Sequence, residues 1–78
     1  MPTAFVCITT EPASMVEVLR KVRVIEGVEE AEMTYGVYDI VAKVKGDTFD
    51  KIKQIITNGI RKIENVRTTL TMLVVKSE

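Results

Sequence analysis

The sequence predicts one α+β domain over residues 1–78, a four-stranded antiparallel sheet that carries two helices on one face. Three observations lead there. Apolar residues alternate at period two in four segments and recur at three- and four-residue steps in two others, in the order strand, helix, strand, strand, helix, strand. The short glycine-containing join Gly36-Val37 separates the middle strands, as in a β-hairpin. The two halves also echo each other: Ile25-Glu26-Gly27-Val28 returns as Ile63-Glu64-Asn65-Val66, an offset of 38 (63 − 25). At the same offset Ala4 matches Ala42, Val6 matches Val44, Thr10 matches Thr48 and Arg23 matches Arg61. A doubled β-α-β unit with right-handed crossovers gives a ferredoxin-like βαββαβ sandwich.

The elements follow in order. Thr3 to Thr9 reads as a strand with Phe5, Cys7 and Thr9 on one side and Ala4, Val6 and Ile8 on the other. Neither side is charged, which suits a central strand covered on both faces. Glu11-Pro12-Ala13-Ser14 opens a helix, because proline at the first helical position lacks only an N–H that would be unpaired anyway. Val16, Leu19 and Val22, with Met15 and Val18 alongside, form its apolar stripe, and Gly27 is expected to stop it. Val28 to Tyr35 alternates Glu30, Glu32 and Thr34 against Ala31, Met33 and Tyr35, the pattern of a half-exposed edge strand. Tyr38 to Lys45 is its hairpin partner, with Ile40, Ala42 and Val44 on one face.

Asp47 is the expected N-cap of the second helix, whose stripe is Phe49, Ile52, Ile56, Ile60 and Ile63. Gly59 inside it marks either close packing or a break in the last turn, and Asn65 ends it as Gly27 ends the first. Val66 to Val75 is the last strand, with Leu70, Met72 and Val74 opposed to Thr69, Thr71, Leu73 and Val75, before a frayed tail Lys76-Ser77-Glu78.

A chain of 78 residues buries only roughly 60% of its unfolded surface. Its core then supplies ~3–5 kcal/mol of net stability. Small domains usually add a disulfide, a metal or a partner. Cys7 is the only cysteine and there is no histidine, so neither a disulfide nor a zinc site is expected. Association remains, and a hydrophobic content of 46% points to it. Two helices cover one sheet face, yet the first and last strands are apolar on both. A two-fold dimer packed sheet on sheet buries the other face, which would exceed the apolar patch that monomers normally expose.

Eleven basic and eleven acidic residues cancel, which argues against direct nucleic-acid binding. The N-terminus lacks a signal peptide's charged start and apolar run, and no apolar stretch approaches the ~20 residues of a membrane span. The expectation is a cytoplasmic protein without membrane contact. The catalytic inventory is thin. Without histidine the usual base is missing, Cys7 reads as a small core residue, and Glu26, Glu29, Glu30 and Glu32 read as a solvated edge. No enzyme, no catalytic residue, no metal and no cofactor is expected.

Two features rise above that background. In the turn Tyr35-Gly36-Val37-Tyr38-Asp39, glycine can take a positive φ and expose backbone N–H groups that hold a carboxylate, while Asp39 can hold an ammonium group. The same residues also serve a plain hairpin, with Asp39 capping the turn. Thr68-Thr69-Leu70-Thr71 lays hydroxyls along the last strand, where threonine is in any case a good strand former.

Gly36-Val37-Tyr38-Asp39-Ile40-Val41 followed by Val44 resembles the Gly-x-Tyr-Asp signature of the RAM domain. This is the effector-binding and oligomerising half of Lrp/AsnC transcription regulators. Thr3-Ala4-Phe5-Val6, Pro12, Gly27-Val28, Asn65-Val66-Arg67-Thr68-Thr69 and Leu70-Thr71-Met72 fall where that family has similar residues. Full-length regulators carry a helix-turn-helix domain ahead of this one. Here nothing precedes Thr3, so the chain resembles the stand-alone RAM proteins and is expected to lack DNA contact of its own. The resemblance implies dimers formed through the sheets, octamer or decamer rings, and amino-acid effectors held between dimers near the hairpin. It also implies mixing with full-length Lrp/AsnC regulators and a role in transcription and amino-acid metabolism. By position, Tyr35, Gly36, Val37, Tyr38 and Asp39 would hold the effector's charged groups, with Thr68, Thr69 and Thr71 as candidates from the last strand. The alternatives are a purely structural oligomer and a small dimeric α/β-barrel enzyme with an open pocket beneath its helices.

Overall fold

The computed structural model describes residues 2–75, so the expected tail Lys76-Ser77-Glu78 lies outside the described residues. Strand β1 (Thr3–Thr10) leads through a 3-10 turn (Pro12–Ser14) into helix α1 (Met15–Arg23). The hairpin strands β2 (Val28–Met33) and β3 (Ile40–Lys45) follow, then α2 (Phe49–Asn58), a second 3-10 turn (Ile60–Lys62) and β4 (Val66–Leu73). The sheet is antiparallel throughout in the order β2-β3-β1-β4, the ferredoxin-like arrangement that the alternation and the repeat predict.

Register decides which residues share a face. Val6 lies opposite Ala42 of β3 and Thr71 of β4, so Ala4, Val6, Ile8, Ile40, Ala42 and Val44 point the same way. With Ala31 they meet Val18, Leu19 and Val22 of α1, and Ile52, Ile56 and Ile60 from α2 and the turn after it. Each large side chain so buried stabilises the fold by about 1.5–3 kcal/mol against remaining in water.

The helices depart from expectation in detail. α1 begins after a 3-10 turn, and its buried stripe is Val18, Leu19 and Val22, while Val16 is exposed. The tighter opening turn changes the phase, placing Met15 rather than Val16 on the inward side. The helix also stops at Arg23, short of Gly27. Gly27 instead takes φ 101° in a β-turn closed by the Val28 N–H on the Ile25 carbonyl at 3.1 Å. Asn65 repeats that turn at φ 76°, with the Val66 N–H donating to the Ile63 carbonyl at 3.3 Å, so the sequence repeat is a structural one. The N-cap of α2 is Thr48 and not Asp47: its hydroxyl accepts from the Lys51 N–H at 3.1 Å. Phe49 is exposed outside the stripe. Gly59 both packs closely and breaks the helix, since a Cβ there would lie 2.5 Å from the Ile55 carbonyl oxygen.

On the face away from the helices, Cys7 pairs with Leu70 and Phe5 with Met72. Cys7 is a buried core residue, as expected, but on this face rather than in the cluster beneath the helices. Leu70 and Met72 remain 46% and 48% exposed. The other half of this face is charged: Glu29 reaches Lys43 at 3.6 Å and Lys45 at 3.2 Å. The β2 margin is closed off by Arg23, which donates to the Ala31 carbonyl at 2.9 Å and pairs with Glu32 at 3.1 Å. The carboxylates of this edge therefore engage fixed cations as well as solvent.

Candidate functional site

The hairpin projects beyond one end of the sheet. Gly36 turns it at φ 118°, with open space where a side chain would begin. Below the tip, the Thr34 N–H donates to the Asp39 carbonyl at 2.9 Å and the Thr34 hydroxyl to the Tyr38 carbonyl at 2.7 Å. Among the described residues none accepts from the N–H of Tyr35, Gly36, Val37 or Tyr38.

Asp39 ties this turn to the middle of the sheet. Its N–H donates to the Ile8 carbonyl at 2.9 Å, and its Oδ2 accepts from the Thr10 N–H at 2.8 Å. Thr10 needs that acceptor because the β1–β4 register slips between Thr9 and Thr10, taking its N–H out of the ladder. A hydrogen bond to a charged group of this kind contributes about 1.5–3 kcal/mol. The capping role weighed for Asp39 is therefore real, and it occupies one of two carboxylate oxygens. Oδ1 has no partner among the described residues and stays able to accept.

Strand β4 supplies the opposite wall. The Thr9 and Thr68 hydroxyls are 2.6 Å apart, and the Thr68 N–H donates to Thr9 Oγ1 at 3.1 Å. Arg67 Nε lies 3.6 Å from Glu11 Oε2, an exposed pair of about 0–1 kcal/mol. Together these segments enclose an open groove of about 430 Å³, within the size range of small-molecule sites.

The groove gathers only some of the residues singled out by sequence. Val37, Asp39 and Thr68 line it. Tyr38 is half-buried behind the turn, and Tyr35 and Gly36 are exposed at the tip. Thr69 faces the helix side, opposite Ile8, and lines an adjoining cleft with Arg61. Thr71 lies further along β4, opposite Val6, and does not reach the groove. Sequence reasoning missed Thr9, Thr10, Pro12, Met15 and Arg67 as lining residues. Pro12 and Met15 carry a helix signal that hides their second position at the groove. Arg67 sits inside the matching Asn65–Thr69 element and could have been found there.

Chemically, the groove offers one carboxylate acceptor, one guanidinium and unpaired turn amides, the complement of an α-ammonium and an α-carboxylate. A larger groove of about 490 Å³ lies at the opposite end, between Gly27 and Lys51, where Glu29 and Lys45 already satisfy each other. Volume alone would favour that end, where the side chains of Glu26, Asp47 and Lys51 also stand unpaired among the described residues; the turn singled out by sequence lies at the hairpin end. Among the described residues no cluster of His, Cys, Asp and Glu could hold a metal ion, and no helix is long and apolar enough to cross a membrane.

The family model for the Lrp/AsnC ligand binding domain matches residues 3–78. A segment of homocitrate synthase from Saccharolobus islandicus is 44% identical over 59 residues, covering 76% of this chain and 13% of that enzyme's length. The crystal structure of FFRP-DM1 superposes with a TM-score of 0.91 at 37% identity, covering 96% of this chain and all of that one. Escherichia coli AsnC superposes with a TM-score of 0.89 at 27% identity, covering 97% of this chain and 52% of the regulator.

Proposed function

We propose that this chain, which belongs to the Lrp/AsnC ligand binding domain family, senses a free amino acid in the groove at the hairpin end of its sheet. The observation that carries the reading is the half-used carboxylate of Asp39, placed in one groove with Arg67. The family is one of transcriptional regulators, and structures of relatives from Neisseria meningitidis and Mycobacterium tuberculosis hold L-methionine, which supports an amino-acid ligand. Asp39 Oδ1 would accept from the ammonium group. Arg67 and the N–H groups of the Gly36 turn would donate to the carboxylate, with Tyr35, Tyr38, Thr68 and Thr69 at its margins.

The same reading includes assembly. The face carrying Phe5, Cys7, Leu70 and Met72 is apolar and uncovered in the single chain, and a two-fold copy packed against it removes that surface from water. The hairpin ends then stand at the rim of each dimer, where a ring of dimers would close the open side of the groove.

Calorimetric titration of the assembled protein with the twenty amino acids should find at least one ligand. Asp39→Ala should abolish its binding. Absence of any ligand leaves the purely structural oligomer as the better reading.

A second reading concerns what the module regulates. Its 44% identity is to a segment of an enzyme, whereas E. coli AsnC is 27% identical. The chain would then transmit amino-acid level to an enzyme rather than to a promoter. Co-purification with the tagged chain separates the two, recovering either a full-length regulator of this family or an enzyme.

A further inference from the structure

We infer that the groove selects amino acids with uncharged, apolar side chains, read by Pro12, Met15 and Val37. The inference rests on the amino-acid reading above and adds the class of ligand. Charges come first. The groove is lined by one acidic group, Asp39, and one basic group, Arg67. An amino acid's own ammonium and carboxylate use one of each. The nearby Glu11 meets Arg67 through Nε at 3.6 Å. The remaining guanidinium N–H groups can hold the ligand's carboxylate while Glu11 stays paired, so no fixed charge in this groove is left to meet a third charge on the ligand.

The polar groups that remain are also engaged. The Thr9 and Thr68 hydroxyls hold each other at 2.6 Å, and the Thr10 hydroxyl donates to the Glu11 carbonyl at 3.2 Å. What is left of the lining is apolar: the Pro12 ring, the Met15 thioether and Val37. Val37 is 82% exposed, so it has most of its surface to gain from a ligand laid against it. Met15 is half-buried and flexible, which suits branched and unbranched chains alike. A carboxylate or ammonium pressed onto these three would lose hydration without finding a partner. The groove at the opposite end, with Glu26, Glu29, Asp47, Lys45 and Lys51, has the reverse character.

The test is calorimetric titration of the full chain in its assembled form with methionine, leucine, isoleucine, valine and phenylalanine. A second series uses aspartate, glutamate, lysine, arginine, asparagine and glutamine. The tightest ligand should come from the first series, and each charged amino acid should bind at least about tenfold more weakly. Met15→Lys should weaken the best apolar ligand about tenfold and narrow its lead over glutamate. If circular dichroism finds Met15→Lys misfolded, Val37→Asp on the exposed turn must weaken the apolar ligand instead. A charged or amide side chain as the tightest ligand overturns the selectivity and leaves amino-acid sensing standing. Unchanged apolar affinity in a folded variant of either residue overturns the assignment of the readers. Silence from all twenty amino acids removes the underlying reading and the inference with it.

Discussion

At one end of the sheet Asn65, at φ 76°, turns the chain into β4, and Arg67 follows two residues on. At the other end Gly27, at φ 101°, turns it into β2, and Glu29 follows at the equivalent position of the repeat. The backbone device is the same, but its surroundings are not. Glu29 is clasped between Lys43 and Lys45, and a Cβ on Gly27 would stand 2.4 Å from Ile55 Cδ1. The hairpin end instead has Gly36 in open space and an Asp39 carboxylate with an oxygen to spare. Its counterpart across the sheet is backbone pairing, the Gly46 N–H on the Pro2 carbonyl at 3.3 Å and the Val74 N–H on the Thr3 carbonyl at 2.9 Å. One framework built twice packs side chains against its turn at the Gly27 end and leaves the turn open around Gly36 at the hairpin end.

The sharpest way to break this contrast is a pair of glycine substitutions. Gly27→Ala meets both an unfavourable φ and the Ile55 side chain, and should lower unfolding free energy by about 2–4 kcal/mol. Gly36→Ala meets only the φ penalty, about 1–2 kcal/mol. Equal losses in urea titrations would mean that the far end is no more tightly built than the hairpin.

Next in size is the double role of Asp39. Asp39→Ala should cost about 1.5–3 kcal/mol by stranding the buried Thr10 N–H, whereas Asp39→Asn keeps an acceptor there and should recover most of that loss. Amino-acid binding should fail in both. Recovery of binding by asparagine would mean that Asp39 serves the hairpin alone. The smallest effects belong to exposed ion pairs. Glu29→Gln and Glu11→Gln should each change stability by about 0.5 kcal/mol or less. Only Glu11→Gln, by releasing Arg67, should alter amino-acid affinity in calorimetry.

Much of the fold was legible because alternation and helical spacing are local signals. The hairpin and the β2 edge follow from residues close in sequence, and the repeat with right-handed crossovers carries the strand order. The errors arose where neighbouring residues compete for one role. Asp47 and Thr48 can both cap α2, and what decides is the extended backbone of Thr48, at φ −139° and ψ 165°. Val16 and Met15 can both begin the α1 stripe, and the 3-10 turn at Pro12–Ser14 sets the phase. The groove was half legible. Val37 and Asp39 stand in a recognisable turn, but their partners arrive from β1, the start of α1 and β4. They meet because the β1–β4 register slips at Thr9 and Thr10, and no local pattern announces that slip.

The bond from the Thr10 N–H to Asp39 spans 29 residues of chain, and this has a consequence for the order of events during folding. The hairpin can close on its own within microseconds, because its strands are adjacent in sequence. The carboxylate finds its donor only after β1 has docked beside β3, a later and slower step in which a longer loop must close. The groove is therefore absent from any half-formed chain. A ligand that fits it would reward only the finished molecule, and on the amino-acid reading an abundant effector would protect the completed fold by mass action.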